Sequence, residues 1–203
     1  MGLNSNKKGG VSRPRPVSAL HSPAAAVIIS SMIITHHGGQ CFKVSFGDTT
    51  LAFDPIAKQS KLDAVKFGSD VALVSLNHPN CNGVEQVAHG SKQPFVINGP
   101  GEYEVGDVTV RGWGVKTTYD KVERFNTIYQ VQLEGMNLIF LGALGDPDID
   151  ASILGEFGDV DVLFVPIGGG DVMEVPQASK LATKIEVKRR HSSTSNIAHV
   201  CGG

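Results

Sequence analysis

Aromatic side chains are scarce in this sequence, at 6% of 203 residues and with a single tryptophan. Beside abundant glycine, that scarcity argues against long helical bundles. The chain's 41% apolar content supports one sizeable core, and its length is too short for two ordinary domains. Cysteine is rare as well. Cys41, Cys81 and Cys201 are an odd number at wide spacing, which argues against a disulfide framework and fits a reducing compartment. No apolar run reaches the roughly 20 residues that a membrane helix needs. Ala24 to Ile34 follows a basic stretch and imitates a secretion signal, but no small-residue cleavage site comes after it. The expectation is a cytoplasmic protein with no membrane partner.

Acidic residues are missing from both ends. Residues 1–31 carry Lys7, Lys8, Arg13 and Arg15, residues 187–203 carry Lys188, Arg189 and Arg190, and all 20 Asp and Glu residues lie between. An acidic body repels nucleic acid phosphates, so only the tails could attract such a partner. Charged termini of this kind are ordinarily solvated. The expected organisation is a disordered or non-native extension over 1–31, a folded domain over 32–186 and a basic polar tail over 187–203.

What the chain does have is turn chemistry, with 24 glycines and 10 prolines, and this favours many short elements. Residues 33–46 and 49–53 read as antiparallel strands joined at Gly47-Asp48. Further runs of strand length occupy 71–75, 95–98, 108–112, 126–133, 137–141 and 160–167. Helical signals are fewer: a short one at 82–88, one at 148–157 led by capping aspartates, and one at 176–185 opened by a proline. Because 160–167 is apolar on both faces, something must cover each side of its sheet. After Glu186 all periodicity is lost. The domain is expected to end without a closing strand, leaving an edge through which copies could pair into an oligomer.

Ser75-Leu76-Asn77-His78-Pro79-Asn80-Cys81-Asn82 follows an apolar strand and resembles the metal loop of the metallo-β-lactamase superfamily, Thr/Ser-His-x-His-x-Asp-His. The likeness extends in order through Gly38 to Phe42, Phe53-Asp54-Pro55, Asn98 to Val105, Asn126 to Tyr129, Leu141 to Gly145 and Val165 to Gly169. It is closest to the short zinc-dependent hydrolases of the ascorbate-phosphate lactonase branch. The fold so implied is an α/β (α+β) four-layer αββα sandwich, here C-terminally truncated.

The resemblance also implies metal ligands, and most are absent. The two leading histidines of the loop fall on Leu76 and His78, its aspartate on Asn80 and its last histidine on Cys81. A further histidine falls near Thr117 or Thr118, the metal-bridging aspartate on Ala143, and a histidine beyond it on Asp146. Only His78 is retained. Zinc needs imidazole or thiolate donors and a carboxylate bridge to hold it and to acidify its water. Leucine and alanine have no lone pair to offer. No cofactor is therefore expected, unless zinc is held in a remodelled mononuclear site of His37, His78, Cys81 and Asp146.

The leading expectation is a catalytically inactive relative with a binding or scaffold role. The alternative is a metal-dependent hydrolase of a phosphorylated sugar lactone or ester. Other candidates have plainer readings. Cys81 as a nucleophile lacks an orienting third residue, and Asp146 to Asp150 caps a helix more simply than it binds calcium. Asp54 reads as a structural aspartate at the base of the loop, Glu102 and Glu104 as solvated turn residues, and Trp113 as packing.

Overall fold

The computed structural model describes residues 32–185 and 197–201. Eleven strands and two α-helices are found among them. The first sheet holds β1 (Ile33–His36), β2 (Phe42–Phe46), β3 (Thr49–Phe53), β4 (Val71–Leu73) and β5 (Phe95–Ile97), in that order. The second contains β6 (Gly101–Val105), β7 (Val108–Tyr119), β8 (Val122–Leu133), β9 (Met136–Phe140), β10 (Val162–Ile167) and β11 (Ile197–Cys201), with β6 and β11 at its edges.

The two sheets face each other across an apolar core in which the few aromatic rings cluster. Phe42, Val44, Leu51, Phe53 and Leu73 from the first meet Val110, Tyr129, Val131, Leu138, Phe140 and Phe164 from the second, all buried. Alternation explains the rest of β10. Phe164 points into this core, while Leu163 and Val165 point outward beneath α1 (Ala151–Glu156) and α2 (Val175–Ile185). Asp150 caps α1, accepting from the Ser152 amide at 2.8 Å, so the aspartates at 146–150 do lead into a helix. Trp113 packs edge-on against Phe157 in the same layer. The outer face of the first sheet is covered by loops and a single 3-10 turn at Val84–Gln86 rather than by an α-helix.

Tyr129 joins the layers, its hydroxyl donating to the Val74 carbonyl at 2.8 Å and reaching that of Ile97 at 3.3 Å. Removing this donor takes away the bond to the buried Val74 carbonyl, while Ile97 O still accepts from the Val74 amide at 2.8 Å. Tyr129→Phe is expected to lower stability by about 1–2 kcal/mol, to be read from denaturant midpoints; an unchanged midpoint would show that these bonds are replaceable.

Three expectations are corrected. Residues 197–201, placed in a polar tail, form β11 parallel to β10, with Leu163 opposite Ile197 and Ile167 opposite Cys201. The domain therefore has the closing strand that the sequence was expected to lack. Glu102 and Glu104, read as turn residues, lie on β6, which pairs antiparallel with β7. The strands expected at 108–112 and 126–133 extend into a 12-residue pair that turns at Asp120 and Lys121, both with left-handed backbone. Among the described residues no helix is long and apolar enough to cross a membrane.

Candidate functional site

Three loops converge at one end of the sandwich: 74–82 after β4, 141–150 after β9 and 168–173 after β10. The β7–β8 arm rises beside them. Crossover connections leave these loops at the strand ends, where sheet folds commonly place their chemistry. Leu76 forms a bridge to Asn126 on β8, and the Thr127 amide donates to the Ser75 carbonyl at 2.8 Å, clamping the first loop to the second sheet. The Asn126 side chain then holds the second loop, donating to Leu141 O at 2.9 Å and accepting from Ala143 N at 2.8 Å. Gly142 is required here. Its φ is +62°, and a Cβ on it would lie 2.4 Å from that of Ser75.

The residues standing at the expected ligand positions do come together, but as an apolar cluster. Leu76, Cys81, Ala143, Tyr119 and Val172 pack against one another and are all buried. Thr117, also buried, donates its hydroxyl to the Ala143 carbonyl at 3.1 Å and accepts from the Gly145 amide at 3.2 Å. Asn80 donates to the Tyr119 hydroxyl at 2.9 Å and accepts from Ser60 Oγ at 2.7 Å. These polar atoms are satisfied by the protein itself, except that the Tyr119 hydroxyl accepts from Asn80 and keeps its own proton to donate. Tyr119 closes the top, its ring centroid 5.0 Å from that of His78, and burial raises its pKa to about 12.

Beneath the cluster lies Asp54, fully buried and with left-handed backbone at φ +42°. It accepts from the Ser75 amide and the Ser75 hydroxyl, both at 2.6 Å, and from the Cys81 thiol. Burial pushes its carboxyl up to about 7, against the opposing pull of these donors. The same burial, with the Asp54 charge nearby, raises the Cys81 thiol well above its usual value, and Cys41 is pushed up to about 12. Cys81 is thus a protonated, enclosed thiol, the opposite of an activated nucleophile.

The four residues of the remodelled-site expectation occupy separate surroundings. His78 is half-buried on the rim, accepting at Nδ1 from the Asn80 amide at 3.2 Å. Its pKa is lowered by burial and then by Arg124, which leaves a neutral imidazole. Cys81 points inward to Asp54. Asp146 is exposed in a neighbouring depression and accepts from the Asp148 amide at 3.0 Å. His37 stacks on Phe67 at 4.8 Å between ring centroids, and its Nε2 is buried without a hydrogen bond. No group of three or more His, Cys, Asp or Glu side chains among the described residues has the geometry to hold a metal ion. A metal of the kind the fold implies does not fit this donor set: the positions that would grip it carry a leucine, an alanine and a protonated thiol already bonded to Asp54. Glu102 is exposed and ion-paired to Arg111 at 3.3 Å, and with Glu104 it lies on β6.

The model of the beta-lactamase superfamily domain matches residues 33–189. The chain belongs to the beta-lactamase superfamily. A UPF0173 metal-dependent hydrolase of Listeria innocua is 28% identical, over 77% of this chain and 82% of its own length. Among solved structures, a metallo-beta-lactamase superfamily member from Thermotoga maritima is 26% identical, with a TM-score of 0.62 over 85% of this chain and 82% of its own. A metallo hydrolase from Ignicoccus hospitalis, 17% identical, shares the fold with a TM-score of 0.55 over 77% and 79% of the two chains.

Within the superfamily framework, two residues of the site were missed in the sequence. Tyr119 continues the alternation of Trp113, Val115 and Thr117 on β7, beyond the 108–112 run read as strand. Val172 follows a run of three glycines that reads as a plain turn. Each enters the cluster only because the loops converge.

Proposed function

We propose that this superfamily member is a metal-poor, catalytically inactive protein of the cytoplasm that uses the rim of the former metal site for binding or as a scaffold. The observation that carries this reading is the packing of Leu76, Cys81 and Ala143 with Tyr119 and Val172. Those positions would need three lone-pair donors aimed at one point, and they supply an apolar packing contact instead. Elemental analysis of the full chain, purified without chelator, is expected to find well under one zinc per molecule. A chelator such as EDTA is expected to leave the thermal midpoint unmoved, because no folding energy is stored in a metal site. Stoichiometric zinc, or a midpoint that drops on chelation, would overturn the reading.

A second reading, a metal-dependent hydrolase of a phosphorylated sugar lactone or ester, is favoured by the naming of the Listeria relative as a metal-dependent hydrolase. It would use His37, His78, Cys81 and Asp146 after rearrangement of the loops. Zinc that is tightly held by the wild type and lost on replacing His78 and Cys81 together would establish it.

A further inference from the structure

We propose that the cleft beside Tyr119 binds a small uncharged polyhydroxy compound of monosaccharide size, an inference that rests on the non-catalytic binding role given above. Two depressions of about 350 and 300 Å³ share Leu62, Asn80, Tyr119 and Asp171 among their lining residues, and so form one continuous cleft. Each half alone is at the small end of ligand sites, and the two together fall within their ordinary range.

The lining chemistry selects the ligand. Asn80 donates to the Tyr119 oxygen, which leaves the Tyr119 hydroxyl proton to be given to a ligand. Gln40 lines the same half, and its carboxamide carries a donor and an acceptor in one plane. Asp171 supplies acceptors only, and among the described residues it has no ion-pair partner. A vicinal diol is both donor and acceptor on adjacent carbons, which is the complement of such a set. Leu62 and the Tyr119 ring provide apolar surface for its C–H face.

Charge then separates this class from phosphate esters. One cation, Lys61, and two carboxylates, Asp120 and Asp171, line these depressions, and the adjoining one that shares Gly170 and Asp171 adds Lys116 and Lys121 against Glu123 and Asp146. A dianionic phosphate would meet net repulsion there, and none of the bidentate arginine or clustered donors that hold phosphates. The alternative substrate class drawn from resemblance, a phosphorylated sugar lactone, is therefore poorly matched to these residues.

Saturation-transfer NMR on the full chain tests the proposal, with D-glucose, D-ribose and erythritol as uncharged probes beside glucose 6-phosphate. At least one uncharged probe is expected to receive transfer. Asp171→Ala is expected to weaken that binding by about tenfold or more, while Lys61→Glu leaves it within about twofold. Both side chains are exposed, so neither change endangers folding. Absence of transfer to all three uncharged probes, tighter binding of glucose 6-phosphate, or indifference to Asp171→Ala would overturn the proposal. Zinc-dependent turnover of a bound uncharged sugar would instead overturn the non-catalytic reading and leave the ligand class standing.

Discussion

Ala143→Asp, which restores the acid expected at the metal-bridging position, is expected to destabilise the protein by about 3–5 kcal/mol rather than to create function. Ala143 is fully buried among Leu76, Cys81, Tyr119 and Val172. Its amide and carbonyl are already taken by Asn126 and Thr117. A carboxyl group placed there gains no water, meets an apolar wall and overfills a packed site. Added zinc is expected to recover none of the loss, since Leu76 and the inward-facing Cys81 supply no second donor. The measurement is the urea midpoint with and without zinc. A variant as stable as the wild type, or one rescued by zinc, would show that the cluster opens readily and that the ancestral geometry persists beneath it.

The second large effect concerns Asp54. Asp54→Ala removes the acceptor of the Ser75 amide, the Ser75 hydroxyl and the Cys81 thiol, and is expected to cost about 2–4 kcal/mol. Asp54→Asn keeps the shape and isolates the charge. In the folded chain the carboxyl titrates at about 7 instead of 3.8, so the native state holds this proton more tightly than the unfolded one. The resulting stabilisation is complete below the unfolded value and is lost as the pH rises through about 7. Wild-type stability minus that of Asp54→Asn should therefore shrink between pH 4 and pH 7. A difference that is flat, or that grows with pH, would mean that the three donors outweigh burial and keep Asp54 ionised.

Much of the sandwich was legible from pattern. The 49–53, 137–141 and 160–167 runs are largely apolar because they lie in or beside the central core, and strands β3, β9 and β10 occupy them with shifts of a residue or two. The outer half of the β7–β8 arm was only faintly legible. Trp113, Val115, Thr117 and Tyr119 alternate with the more exposed Gly114, Lys116 and Thr118, but a glycine and two threonines blur that period, and 120–125 is mostly exposed; cross-strand pairing over the full length of the arm makes these residues strand. β11 was missed for a related reason. Its partner β10 supplies the ladder, and a five-residue strand after a basic polar stretch carries no period of its own.

The site divides along the same line. That Leu76, Asn80, Cys81 and Ala143 stand where donors belong is a property of the sequence, readable from residue type and motif order, because the presence or lack of a lone pair needs no coordinates. What filled the place of the metal was decided only by the tertiary structure. Tyr119 and Val172 lie 43 and 96 positions from Leu76 along the numbering, and no local rule links them. They meet because loops from both sheets end at one edge of the sandwich, where an apolar gap left open would forfeit dispersion contacts and burial that a tyrosine ring and a valine recover.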